Sequence, residues 1–126
     1  MVDMAKIVYY PRFRDLAHRF FEESWEHSCG RHYNEILTEE GICFPLVHSE
    51  AQFHHPLSYG DTVKCKISVT DIGSSSITWE YEFRNQHDTL CWTSKQVTVC
   101  VRMKDIKSKT PVPKWISEGL SKLMNQ

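Results

Sequence analysis

The chain has 126 residues, 40% hydrophobic and 25% charged, enough for one domain with its own core and too few for two. Fifteen Lys and Arg stand against sixteen Asp and Glu, a formal net charge of −1. No field of one sign exists to gather nucleic acid or an anionic membrane, which disfavours binding of either through a basic patch.

Pro11 opens the first predicted element. Phe13, Leu16, Ala17, Phe20, Phe21 and Trp25 recur at helical spacing among Arg12, Arg14, Asp15, Arg19, Glu22, Glu23 and Glu26. Proline suits a first helical turn because its missing N–H has no intrahelical partner there, and Gly30 supplies a C-cap after His27. The spacing predicts an amphipathic helix over residues 11–29 and a shorter one over 33–40, ended by Gly41.

From Phe44 the period changes to that of strands. Residues 45–54 read as a strand with an exposed face, after which Pro56 and Tyr59-Gly60-Asp61 supply turn chemistry. Val63, Cys65, Ile67 and Val69 alternate with Lys64, Lys66, Ser68 and Thr70. After a turn at Gly73 and three serines, Ile77, Trp79, Tyr81 and Phe83 alternate with Thr78, Glu80, Glu82 and Arg84. Residues 85–88 turn the chain, and 91–102 give a further strand with Val97, Val99 and Val101 on one face. Thr110-Pro111-Val112-Pro113 breaks regular structure before a terminal helix over 115–124. Helices first and strands after predict a single α+β domain: an antiparallel sheet whose apolar face the long helix covers.

Most chemistries that the composition suggests fail on spacing. His48, His54 and His55 lie close together, but adjacent strand residues point to opposite faces, so His54 and His55 cannot chelate one ion; no metal site is expected. No G-x-S-x-G elbow and no Gly-rich phosphate loop is present. Five Cys without a C-x-x-C pair argue against a disulfide framework and a zinc ribbon, and predict reduced thiols in the cytoplasm. Cys65 lies on the apolar side of its strand, where packing explains it. No run approaches the ~20 apolar residues of a membrane span. One segment stands apart: Asp3 precedes Ile7-Val8-Tyr9-Tyr10, which runs into Pro11 and the helix. A carboxylate beside the unsatisfied N–H groups of a helix N-terminus can hold a base or nucleophile next to an oxyanion site.

Asp3-Met4-Ala5-Lys6-Ile7-Val8-Tyr9-Tyr10-Pro11 resembles the D-x-x-G-[IV]-V-[YW]-[YFH]-P motif of hotdog-fold acyl-CoA thioesterases, in the branch of the hydroxybenzoyl-CoA thioesterases. Phe44-Pro45-Leu46-Val47-His48, with Phe53, Pro56 and Gly60-Asp61 after it, is similar to the dihydroxynaphthoyl-CoA thioesterases of that branch. The resemblance implies an antiparallel sheet wrapped around a long central helix. It implies that Asp3 is the nucleophile or general base and that the Tyr10 N–H polarises the thioester carbonyl. Tyr9, Phe44, Pro45 and Val47 would line the acyl pocket across a subunit interface, and Ser75 and Ser76 would contact coenzyme A. Glu22 and Glu23 are the fallback carboxylates, since another hotdog branch uses a Glu on this helix.

Two departures accompany the match. Lys6 stands where the family has Gly, and only two residues precede Asp3, where the family carries a strand, so a domain lacking that first strand is expected. The activity implied is hydrolysis of an aromatic or medium-sized acyl-CoA to free acid and coenzyme A, without metal or redox cofactor, by a homodimer or homotetramer. The alternative is a non-catalytic hotdog protein that binds acyl-CoA or an acyl carrier, since one fold hosts several functions. A dehydratase on the same fold ranks below both, because no His stands where that family's helix-proximal base does.

Overall fold

The computed structural model describes residues 10–58 and 60–125, with side chains over 16–58 and 60–124. Helix α1 (Tyr10–Cys29) ends where Gly30 turns left-handed at φ 73°, its N–H 2.9 Å from the Glu26 carbonyl. Helix α2 (Tyr33–Glu40) is closed by Gly41 at φ 67°. Both helices and both glycine caps fall where the sequence predicts them.

Strands β2 (Leu46–Phe53), β3 (Lys64–Ile72), β4 (Ser76–Arg84) and β5 (Leu90–Val99) form an antiparallel sheet in the order β2-β5-β4-β3. A second, small sheet joins β1 (Ile42–Cys43) to the hairpin of β6 (Val101–Arg102) and β7 (Asp105–Lys109). Helix α3 (Lys114–Leu120) tightens into a 3-10 helix, Ser121–Asn125. Between β2 and β3, Asp61 ties the loop to the β4–β5 turn: its carboxylate accepts the Ser58 N–H at 2.7 Å and the Gln86 amide at 2.9 Å.

The core is built on β4. Ile77, Trp79, Tyr81 and Phe83 are each no more than 1% exposed, and the residues between them face the other side of the sheet. Helix α1 lies across this face with Phe20 on Phe83 (ring centroids 5.8 Å apart), Phe21 on Trp79 (5.0 Å) and Trp25 on Trp79 (5.9 Å). Full burial of a Phe side chain contributes roughly 1.5–3 kcal/mol of transfer free energy, and the larger Trp rings somewhat more. Leu16 and Ala17 continue the buried stripe along the helix. The expected cover of a sheet by its long helix is the arrangement found.

Strand β5 departs from expectation in a way that matters. Opposite Phe83, Tyr81, Trp79 and Ile77 stand Trp92, Ser94, Gln96 and Thr98. Directly opposed residues share a face, so the helix side of β5 carries one aromatic and three polar side chains. Val97 and Val99 point the other way, so the valine face predicted to lie beneath the helix is turned from it. The predicted strand over 91–102 also breaks at Cys100. Its N–H donates to the Ser75 carbonyl at 2.7 Å and its carbonyl accepts the Thr110 N–H at 2.9 Å, so the chain leaves the main ladder for the hairpin. Strand β2 is exposed along its whole length, on both faces rather than one.

Helix α3 docks on the end of α1 through Gly119. A methyl group there would stand 2.6 Å from Cys29 Sγ and 3.1 Å from the Ser28 carbonyl, part of the α1 backbone. Gly119→Ala is therefore expected to cost about 1–3 kcal/mol by overpacking. Gly41→Ala, in open space but at φ 67°, should cost about 1 kcal/mol from backbone strain alone. Urea denaturation reads both as lower midpoints at unchanged slope; an unshifted midpoint for Gly119→Ala would contradict the α1–α3 contact.

Candidate active site

The polar side of β5 opens into a cleft of about 290 Å³. His18 and Phe21 reach it from α1, Tyr33 from α2, Phe44, Pro45 and Leu46 from the start of β2, and Gln96 and Thr98 from β5. Its aromatic walls are held from behind. Phe21 meets Tyr33 edge-on at 5.3 Å, and buried Trp25 backs Phe44 at 5.0 Å and Tyr33 at 5.5 Å. The lip is tied on both sides: the Phe44 N–H donates to the Tyr33 hydroxyl at 3.0 Å, and the Pro45 carbonyl accepts the Val99 N–H at 3.1 Å. A depression of about 210 Å³ on the opposite face of the sheet is lined by Lys66, Glu80, Glu82 and Lys95, a solvated surface of mixed charge.

Of the residues singled out in the sequence, Phe44 and Pro45 stand together in the cleft. Tyr10 is the first residue of α1, where helix geometry leaves the N–H groups without intrahelical acceptors. Asp3, Tyr9 and the segment before the motif lie outside the described residues. Val47 is 59% exposed and sits at the bulge between Leu46 and His48, outside the cleft. Ser75 and Ser76 are bound up in the turn into β4, where Ser76 accepts the Gly73 N–H at 2.8 Å through its carbonyl, and they do not line the cleft either. Glu22 lies 3.3 Å from His18 Nε2, beside the cleft, and Glu23 is exposed. His48 pairs with Glu50 at 2.9 Å and His54 with Thr93 at 3.0 Å, both on the exposed surface.

Sequence reasoning missed Tyr33, Gln96 and Thr98 as cleft residues. The signal was present in Ser94, Gln96 and Thr98, polar residues at period two in a strand otherwise rich in valine. Without the register against β4 their side of the sheet was not fixed.

The sequence profile of the thioesterase-like superfamily matches residues 1–120. The chain belongs to the thioesterase-like superfamily. The 1,4-dihydroxy-2-naphthoyl-CoA hydrolase of Crocosphaera subtropica is 24% identical over 119 residues, 94% of this chain and 86% of its own length. The Synechocystis enzyme of the same name is 26% identical over 112 residues, 88% of this chain and 80% of its own. The solved structure of a 1,4-dihydroxy-2-naphthoyl-CoA thioesterase from Synechocystis superposes with a TM-score of 0.83 at 24% identity, covering 97% of this chain and 88% of that one. The hotdog fold implied by the motifs is thus the fold of this thioesterase-like chain.

Among the described residues no cysteine lines the cleft. Burial pushes Cys65 up to about 12 and Cys100 up to about 11, and it raises Cys43 as well, so all three stay protonated at neutral pH. Burial also raises Tyr33 to about 12, which keeps its hydroxyl a donor. These groups ordinarily ionise near 9.0 for Cys and 10.0 for Tyr, so as pH rises the unfolded chain loses their protons first. Their contribution to stability is whole below about pH 9 and is lost as pH climbs from there to about 12. The melting temperature is expected to fall across that window, less steeply in Cys65→Ala; identical slopes would contradict the burial of that thiol.

Proposed function

We propose that this chain hydrolyses an aromatic acyl-CoA thioester to the free acid and coenzyme A. The observation that carries the reading is the aromatic cleft on α1, in a chain whose thioesterase-like match runs through the Asp3–Pro11 motif. The names of the relatives, hydrolases of a dihydroxynaphthoyl thioester, support an aromatic acyl group. Asp3 supplies the carboxylate, as nucleophile or as general base toward water, and the Tyr10 N–H polarises the carbonyl oxygen. The charge developing on that oxygen meets the positive end of the α1 dipole. Phe44 and Pro45 form the lip over the acyl group and Tyr9 extends the pocket; Val47, on the exposed edge strand outside this cleft, would wall the pocket only across a subunit interface, and Ser75 and Ser76 would meet coenzyme A outside the cleft. The five free thiols suit a reducing cytoplasm.

The reading includes a homodimer, or a tetramer built from it. Among the described residues β2 pairs only with β5, so one edge of the sheet is open. Leu46 is 42% and Val47 59% exposed along it, and Ala51 is exposed as well. An unpaired edge strand of this length with exposed apolar side chains invites pairing with a second copy. Sedimentation is expected to give at least twice the chain mass. Val47→Glu combined with Ala51→Glu, which sets like charges across the two-fold axis, should yield monomers; a monomeric parent would remove the assembly from the reading.

The activity is tested by free-thiol release from a panel of aromatic and aliphatic acyl-CoA thioesters. Aromatic thioesters should turn over fastest. Asp3→Asn should lower kcat at least a hundredfold, about 3 kcal/mol in barrier, while assembly and ligand binding persist. Binding without turnover by the parent chain would favour the non-catalytic carrier instead. Parental turnover by Asp3→Asn would move the chemistry to Glu22 or Glu23.

A further inference from the structure

We propose that the hairpin of β6 and β7 is a docking surface for anionic lipid headgroups, on which Met103 and Ile106 enter the lipid interface while Arg102, Lys104, Lys107 and Lys109 meet the phosphates. The hairpin's chemistry stands apart from the cleft and from the thioester-hydrolase reading.

Residues 101–109 carry four cations against the single carboxylate of Asp105, in a chain whose formal net charge is −1. The even balance of the whole chain conceals a local basic field. Every residue from Arg102 to Lys109 is exposed. Met103 is 50% and Ile106 66% exposed, two large apolar side chains standing among the charges. Among the described residues none of the four cations forms an ion pair, whereas Lys114, just beyond the hairpin, pairs with Glu118 at 3.9 Å. The carboxylates beside the hairpin are spoken for. Glu39 and Glu40, at the end of α2, are engaged by Arg31, and Asp105 accepts the Lys107 N–H at 3.3 Å.

The backbone holds the patch in place. The Met103 N–H donates to the Gly41 carbonyl at 2.8 Å, and the Thr110 N–H donates to the Cys100 carbonyl at 2.9 Å. The register pairs Val101 with Lys109 and Arg102 with Asp105, so Ile106, Lys107 and Ser108 bulge from the ladder, a distortion that re-aims side chains. Strand β1, which runs into the lip residue Phe44, lies two strand spacings, about 10 Å, from β7. The pairing of cations with apolar side chains decides the occupant. A phosphate backbone satisfies the cations but gives Met103 and Ile106 nothing apolar to enter. A stable protein interface takes about 20–30 residues a side, and the hairpin offers eight. A lipid surface takes both features without shape complementarity, because hydrocarbon lies directly beneath its phosphates. Each Lys or Arg near an anionic surface strengthens binding about fivefold, and buried apolar side chains add to it. The contact is peripheral, reversible and weakened by salt.

Vesicle sedimentation of the full chain tests this, with phosphatidylcholine vesicles set against vesicles of equimolar phosphatidylcholine and phosphatidylglycerol. At low salt the parent should bind the anionic vesicles more tightly than the neutral ones by about a hundredfold, and it should release them in about 1 M salt, where charges are screened within about 3 Å. Lys104→Gln combined with Lys107→Gln and Lys109→Gln should weaken binding about a hundredfold. Met103→Ser combined with Ile106→Ser should weaken it about tenfold while keeping the salt dependence. Lys95→Gln, on the outer face of the main sheet, should bind as the parent does. All of these side chains are exposed, and parental melting temperatures would show that the variants fold. Equal affinity for the two vesicles overturns the proposal. Binding to neither overturns it as well and leaves the patch to an acidic protein. Parental binding by the folded Met103→Ser, Ile106→Ser variant overturns it too, because a surface that reads charge alone is a general polyanion site, which heparin would fill equally well.

Discussion

The contact of Phe20, Phe21 and Trp25 with Trp79 and Phe83 is the interaction on which the rest of the molecule depends. It fixes where α1 crosses the sheet and therefore where the first turn of the helix, the proposed carbonyl site, points. The same rings build the cleft. Phe21 is both a core residue against Trp79 and a cleft wall, and Trp25 holds Phe44 and Tyr33 from behind. Stability and ligand geometry are thus set by one aromatic cluster. A cavity opened in it would move the cleft walls as well as weaken the fold.

Against this apolar seam, β5 places a polar face where a purely structural strand would place valine. Buried polar side chains are costly unless hydrogen-bonded, and here each is: Ser94 through the Glu50 carbonyl, Thr98 through the Trp79 indole. Thr98, held in this way, lines the cleft beside Gln96, whose amide donates to Ser94. The strand gives up apolar burial for directional hydrogen bonding, the exchange expected where a fold carries a site. Trp79 belongs to both halves of the arrangement, packing on α1 with its ring and orienting Thr98 with its N–H.

Much of the fold was legible because the strongest periodicities were local. The apolar stripe ending at Trp25, the strict alternation of Ile77 to Phe83 and the glycine stops at Gly30 and Gly41 each depend on a few neighbouring residues, and each stands as expected. What was not legible depends on pairing between distant segments. Strand β1 has two residues, too short for any period. Strand β7 reads Asp-Ile-Lys-Ser-Lys, a charged stretch that becomes a strand only because Val101 and Arg102 lie beside it. The face of β5 was misread because Val97 and Val99 alternate as well as Ser94, Gln96 and Thr98 do, and only the register with β4 decides which set meets the helix. For the site, the motifs brought out Phe44 and Pro45, while Tyr33, Gln96 and Thr98 converge on them from separate elements and share no local pattern.

The proposed function places the aromatic acyl group in the cleft between α1 and β5, with its carbonyl at the first turn of the helix. A crystal structure with a non-hydrolysable thioether analogue of an aromatic acyl-CoA tests this most directly. The ring should lie between Phe21 and Phe44 over Gln96 and Thr98, with the carbonyl oxygen about 3 Å from the Tyr10 nitrogen. A ring bound elsewhere, such as on the charged outer face of the sheet, with the cleft unfilled, would rule this placement out.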